Sequence, residues 1–209
     1  DLTQSEFQII DISDSLFNGV NFSESNIAHL NIKGDSSSND YTTFNNDVIF
    51  KNSIVNVIDI KSSIFKEKLI FKDGNMSLGN LDKLIITHLT ISDFNITNLF
   101  KESKELNIEK LDLENCTLRD SQDNDIKINS FYINEFNINK IRLDNNLNLV
   151  NLESNKLRIS NSNIERTFRI ESSNIEIINS ISNIFEDIQI IDNRNEENEK
   201  NRELRFKNT

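Results

Sequence analysis

Proline and tryptophan are absent from this 209-residue chain, and glycine (four), histidine (two), cysteine (one) and methionine (one) are scarce. Without proline there is no proline-rich linker or recognition segment. A single cysteine, Cys116, excludes an intrachain disulfide framework and any cysteine-based metal cluster. The chain also lacks a Gly-rich phosphate loop, a nucleophile elbow and an HExxH sequence. No apolar run approaches the ~20 residues that a bilayer-spanning helix needs. Positive charge is in deficit: 23 Lys and Arg face 34 Asp and Glu, for a net charge of −11. That balance argues against direct nucleic-acid binding and against anionic membranes, both of which reward Lys and Arg. The first residue is Asp, with neither a Met nor a charged-then-apolar signal pattern. It reads as the start of a processed chain or an excised fragment. Location is therefore open, with the cytoplasm favoured.

What the chain has in excess is Asn, Ile and Ser. Ile suits pleated surfaces and Asn tolerates left-handed turns, so the bias fits many short strands joined by tight corners. An AT-rich coding genome would produce it equally well, and it carries little functional weight.

The strongest signal is a period. Leu2, Phe7, Ile12, Phe17, Phe22, Ile27 and Ile32 place an apolar centre at every fifth residue. With 36% hydrophobic residues, seven successes at seven chosen positions have a chance probability of roughly 0.0008. Five is neither the period of a helix nor that of a strand, so it denotes a repeat architecture. Two residues before each centre stand Ser5, Ile10, Ser15, Val20, Ser25 and Leu30, and just before it stand Asp11, Asn21, Asn26 and Asn31. In an extended segment, residues i and i−2 share one side and i−1 the other. Each pentad thus supplies two inward side chains and a polar corner, and chained corners wind a solenoid.

In Ser25-Asn26-Ile27 and Val20-Asn21-Phe22 the chain resembles the pentapeptide-repeat proteins, whose motif is a small residue, Asp or Asn, Leu or Phe, and two variable positions. The resemblance implies an all-β fold: a right-handed, four-sided parallel β-helix with about four pentads per coil. On that reading residues 1–192 form about eight coils and 193–209 a charged C-terminal cap or flexible tail. The frame is interrupted at 34–43, at 73–80, at 100–105 and by the polar run 119–125. Between these it resumes through Phe50 to Ile70, Leu81 to Ile96, Ile108 to Leu118 and Ile128 to Leu143. One-residue slips precede Leu149, Ile159 and Ile164, then Ile170 and Ile175. Over 176–190 helix and strand spacings compete, and β-branched Ile tips the reading to strands. Glu196 and Lys200 are spaced for a helical pair in the tail.

The chain departs from the motif in Phe94, Phe131 and Phe136, bulky residues where the family prefers a small one. They point to a wider coil or a triangular β-helix with longer corners. Leu147 to Leu157 also fits a leucine-rich repeat, although the dominant period argues against it.

No residue is assigned a catalytic, cofactor-binding or metal-binding role. His29 and His88 each sit two residues after a centre, facing outward without ligand partners at short spacing, and read as surface histidines. Cys116 takes an inward i−2 position and reads as a buried apolar residue rather than a nucleophile. Asp11 with Asp14, Asp35 with Asp40, and Asp120 with Asp123 and Asp125 read as solvated clusters; the last lacks the Gly and distal Glu of a calcium loop. The expectation is a non-catalytic scaffold or protein-interaction module of unknown partner, acting through the loops at 34–43, 73–80 and 119–125. One alternative is an acidic DNA mimic that binds a type II topoisomerase (gyrase), a role the family resemblance supplies. A further alternative is a surface or secreted adhesive β-helix. The ends of such a rod also suit end-to-end oligomers.

Overall fold

In a computed structural model the chain is all-β, and its parallel strands stack as a β-solenoid of about seven turns. The structure describes residues 2–35, 40–97, 103–119, 125–129, 131–143, 145–171, 174–181, 183–191 and 203–207. Among these no helix is long and apolar enough to cross a membrane.

The coil is set by pairing over about twenty residues. Strand β1 (Glu6–Ser13) pairs in parallel with β4 (Asn26–Lys33), which pairs with β7 (Ile54–Thr97). Between β1 and β4 lie the short strands β2 (Leu16–Phe17) and β3 (Val20–Asn21), which pair with β5 (Thr42–Phe44) and β6 (Val48–Lys51). The pentad centres fall into four walls. The first wall carries Phe7, Ile27 and Val55, the second Ile12, Ile32 and Ile60, and the third Phe17, Phe44 and Phe65. The fourth carries Phe22, Phe50 and Phe71, the last two in direct register.

Later coils repeat this order. β7 pairs with β8 (Lys104–Glu114) and β9 (Thr117–Arg119), and β8 with β11 (Tyr132–Asn139). β10 (Ile126–Asn129), β12 (Arg142–Leu143), β13 (Leu147–Val150), β14 (Glu153–Ser160) and β15 (Asn163–Glu171) extend the stack. It closes with β16 (Asn174–Ile181), β17 (Ile184–Ile191) and β18 (Glu203–Lys207), all parallel. The 176–190 segment is therefore strand. β18 pairs with β16, so a strand occupies part of the expected cap or tail. The Glu196–Lys200 pair lies outside the described residues.

Two expectations change. The stack has about seven turns rather than eight, because several coils are longer than four pentads: Asn26 and Ile54 are in register 28 residues apart, and Asp112 and Asn137 25 residues apart. The break at 73–80 is not a loop. Those residues continue β7, and Met76 is buried in the core. A single medium-sized apolar side chain at the centre position kept the frame there. Of the other breaks, 36–39, 98–102 and 120–124 lie outside the described residues, while Asp35 and Asp40 exchange backbone hydrogen bonds at 2.7 and 2.9 Å.

The interior is one continuous apolar core. Phe17, Phe44 and Phe65 stack with centroids 5.3 and 4.9 Å apart, and Phe22, Phe50 and Phe71 with 4.7 and 4.8 Å. These distances match the spacing of parallel strands, so a stacked ring on every coil costs no distortion. In later coils Ile86, Ile108 and Ile133 take over the third wall. The bulky i−2 residues fit. Phe136 is in register with Leu111 and Leu157, and all three are fully buried. Phe94 stands in the small-residue column of Ser25, Ser53 and Cys116, and Gly74 makes its room: a Cβ on Gly74 would lie 2.6 Å from the Phe94 ring.

Corner chemistry follows a period of ten rather than five. Among the described residues thirteen non-glycine residues have positive φ, including Gln4, Asp14, Glu24, Asn52, Ser62, Asp73, Lys83 and Asp93, and no glycine does. Each lies three residues before a centre of the first or third wall. Alternate corners are thus left-handed; several of the intervening ones lie within a single strand, as from Phe7 to Ile12 in β1 and from Ile133 to Ile138 in β11, whereas others separate two strands, as between β2 and β3.

Candidate functional site

The outer surface is built by amides one coil apart. Asn31 donates to Asp11 at 2.6 Å, Asn115 to Asp93 at 2.6 Å, Asn95 to Asn75 at 3.0 Å, and Asn139 to Glu114 at 3.1 Å. Asp125 accepts from Asn146 and Asn148 at 2.8 and 3.1 Å. The Asn excess therefore has a structural use. An amide donates to the coil beneath while keeping acceptor capacity, and it relieves repulsion between stacked carboxylates.

The densest polar cluster lies on the fourth wall, where three coils converge on Asp112. His88 and Thr90 of β7 are in register with Lys110 and Asp112 of β8, and Asp112 with Asn137 of β11. Asp112 lies 2.7 Å from Nε2 of His88 and 3.0 Å from Nζ of Lys110, and it accepts from Nδ2 of Asn137 at 2.7 Å. Burial alone would raise its carboxyl. Hydrogen bonds from Asn137, His88 and Lys110, with the Lys110 charge, outweigh that and hold it below the ordinary value of 3.8. Thr90 Oγ1 lies 3.1 Å from the same His88 nitrogen. Because threonine and aspartate address one ring nitrogen rather than opposite ones, the arrangement is not a nucleophile–base–orienter relay. Alongside runs a shallow groove of about 490 Å³, lined by Thr90, Asp112, Glu114, Asn137, Asn139, Arg158 and Ser160.

The third wall carries a second feature. Tyr132 stands outward at 42% exposure, in register with Asn107 on one side and Glu153 on the other. Open clefts of about 480 and 350 Å³ flank it and share Asn107 and Tyr132.

The residues singled out from sequence are dispersed. His29 is exposed on the second wall, in register with Ile9 and Val57. His88 is a correction: it is half-buried, and its carboxylate partner lies 24 residues away in sequence. Short-range spacing cannot find such a partner, whereas comparison at one-coil offsets could. Cys116 is buried, its Sγ donating to the carbonyls of Ile91 and Glu114 at 3.3 and 3.2 Å, and burial pushes its thiol up to about 11. At that value it is protonated at neutral pH and inert as a nucleophile. Asp120 and Asp123 lie outside the described residues. Among those described, no group of three or more His, Cys, Asp or Glu is arranged to hold a metal ion. No family model matches the chain, nor does any curated protein or solved structure.

Proposed function

We propose that the chain is a divergent pentapeptide-repeat β-helix that serves as a non-catalytic scaffold, binding a protein partner through the polar groove of the fourth wall. The observation that carries this reading is the groove at Asp112. Four successive coils present Thr90, Asp112 with Glu114, Asn137 with Asn139, and Arg158 with Ser160 side by side on a rigid surface. Such a recess offers donors, acceptors and both signs of charge to a partner's side chains, with little ordering cost on the scaffold's side. A second basis is the position of Arg158, an exposed planar donor of the kind enriched in interfaces.

The DNA-mimic reading requires carboxylates aligned along one wall. The described acids are spread instead: Asp11 and Asp59 on the second wall, Asp93 at a corner, Asp112 and Glu114 on the fourth, several of them engaged by amides. The charge distribution gives that reading no particular support.

Affinity capture from native-cell extract tests the scaffold, comparing the wild-type chain with Arg158→Glu. A protein held by the wild type and lost by the variant, at unchanged thermal melting, supports the groove as the binding surface. Identical capture profiles would overturn it. A gyrase supercoiling assay with the same samples tests the mimic.

A further inference from the structure

From the third wall we infer a separate carbohydrate-binding site, centred on Tyr132 and suited to a neutral oligosaccharide. Amide ladders run past Tyr132 on both flanks, Asn155 donating to Asn134 at 2.5 Å and Asn151 to Asn129 at 3.3 Å, but the column of Tyr132 itself carries none. Asn107, Glu109 and Glu153 are exposed, and among the described residues their side chains have no hydrogen-bond partner. Asn107 is followed in its column by a tyrosine rather than another amide, which is why its hydrogen bonds stay free.

The result is an aromatic ring with a cleft on either side, each edged by planar polar groups. A sugar ring has one face of C–H groups and a rim of hydroxyls. The face packs on an aromatic ring, and adjacent hydroxyls match the paired acceptors of a carboxylate or the donor–acceptor pair of an amide. The clefts are open and shallow, so a ligand here lies along the surface rather than in an enclosed pocket. From Asn107 through Tyr132 to Glu153 the column spans three coils, about 10 Å at the parallel-strand spacing, which is roughly the length of a disaccharide.

Two observations select this occupant. A peptide would gain little here, because β11 is paired on both sides, with β8 and β14, and leaves no edge for an added strand. An acidic sugar would meet Glu105, Glu109 and Glu153 at the rim, and like charges repel. Neutral hydroxyls supply their own donors and acceptors and incur no such penalty.

The test is titration of the chain with cellohexaose, mannohexaose and N-acetylchitohexaose, with hexagalacturonate as the acidic control, by calorimetry and tyrosine fluorescence. The chain has two tyrosines and no tryptophan, so the emission reports on Tyr132 against a low background. At least one neutral hexasaccharide is expected to bind. Tyr132→Ala should weaken that binding by at least about tenfold, and Tyr132→Phe should stay close to wild type because the stacking face is kept. Both variants are surface changes, and unchanged melting verifies their folding. The inference is overturned if no neutral probe binds at millimolar concentration, if Tyr132→Ala binds like the wild type, or if hexagalacturonate binds as well as the neutral sugars.

Discussion

Asp112 shows how the solenoid converts residues remote in sequence into one charge cluster. Its carboxyl lies below its ordinary value of 3.8 in the folded chain, so it favours folding in its ionised form. The sign follows from linkage: a depressed carboxylate contributes stability above its unfolded value, and that contribution is lost as pH falls through the folded value. Asp112→Asn should therefore melt below wild type at pH 7 and at about pH 5, with the difference shrinking below pH 3.8. Urea melts across that range check this, and a gap independent of pH would contradict it. At the same scale, thirteen corners among the described residues hold non-glycine residues at positive φ. Asn and Asp tolerate that conformation by local hydrogen bonding, whereas Lys83 and Lys140 adopt it at a cost of roughly 1 kcal/mol.

Among the elements, stacking is vertical, and a side chain's main neighbours are the same position one coil up and one coil down. Phe50 lies 4.7 Å from Phe22 and 4.8 Å from Phe71. Its truncation to Ala opens a cavity that two rigid rings cannot fill, so Phe50→Ala should cost about 3–5 kcal/mol in denaturant unfolding. Gly74 makes the complementary point. A methyl there would sit 2.2 Å from the Ser53 carbonyl oxygen and 2.6 Å from the Phe94 ring. The backbone contact cannot yield as a flexible side chain would, and Gly74→Ala should lower the melting temperature sharply. A variant melting like wild type would mean that the wall shifts there freely. The period of ten also belongs to this scale. The pentads mark every wall alike, but only alternate corners are left-handed, and several of the remaining ones, as in β1 and β11, lie within a single extended strand.

For the molecule as a whole, stability is a sum of nearest-neighbour terms. Leu147 is in register with Phe168, and Asn146 and Thr167 lie 21 residues apart on adjacent coils. Deleting residues 147–167 joins Asn146 directly to Phe168 and leaves every wall in phase. The shortened chain should fold to the same β-sheet circular dichroism with a smaller urea m-value, in proportion to the surface lost. Deleting ten residues fewer would exchange opposite walls and abolish folding. If both deletions behave alike, the coil is not the unit of stability.

The sequence by itself determined most of the inward positions, although it took Ile70 with Lys68 as inward where the structure buries Phe71 with Leu69. Ile27, Phe22 and Ile32 are fully buried, as are Ile58, Leu111 and Leu149 farther along, because an apolar period of five can be hidden from water only by winding. It could not find Ser154, which takes a centre position of the third wall as a buried polar residue, since a hydrophobic frame passes over serine. It misread 73–80, where one Met and a Gly sufficed to hold the wall. Only the tertiary structure decided which residues meet across coils. The offset between neighbours varies from 20 residues, as between Asn75 and Asn95, to 28, as between Asn26 and Ile54, and each lengthened coil resets it, so no fixed spacing pairs His88 with Asp112 or sets Tyr132 between Asn107 and Glu153. Burial follows from a local period, whereas surface chemistry follows from the accumulated lengths of the coils.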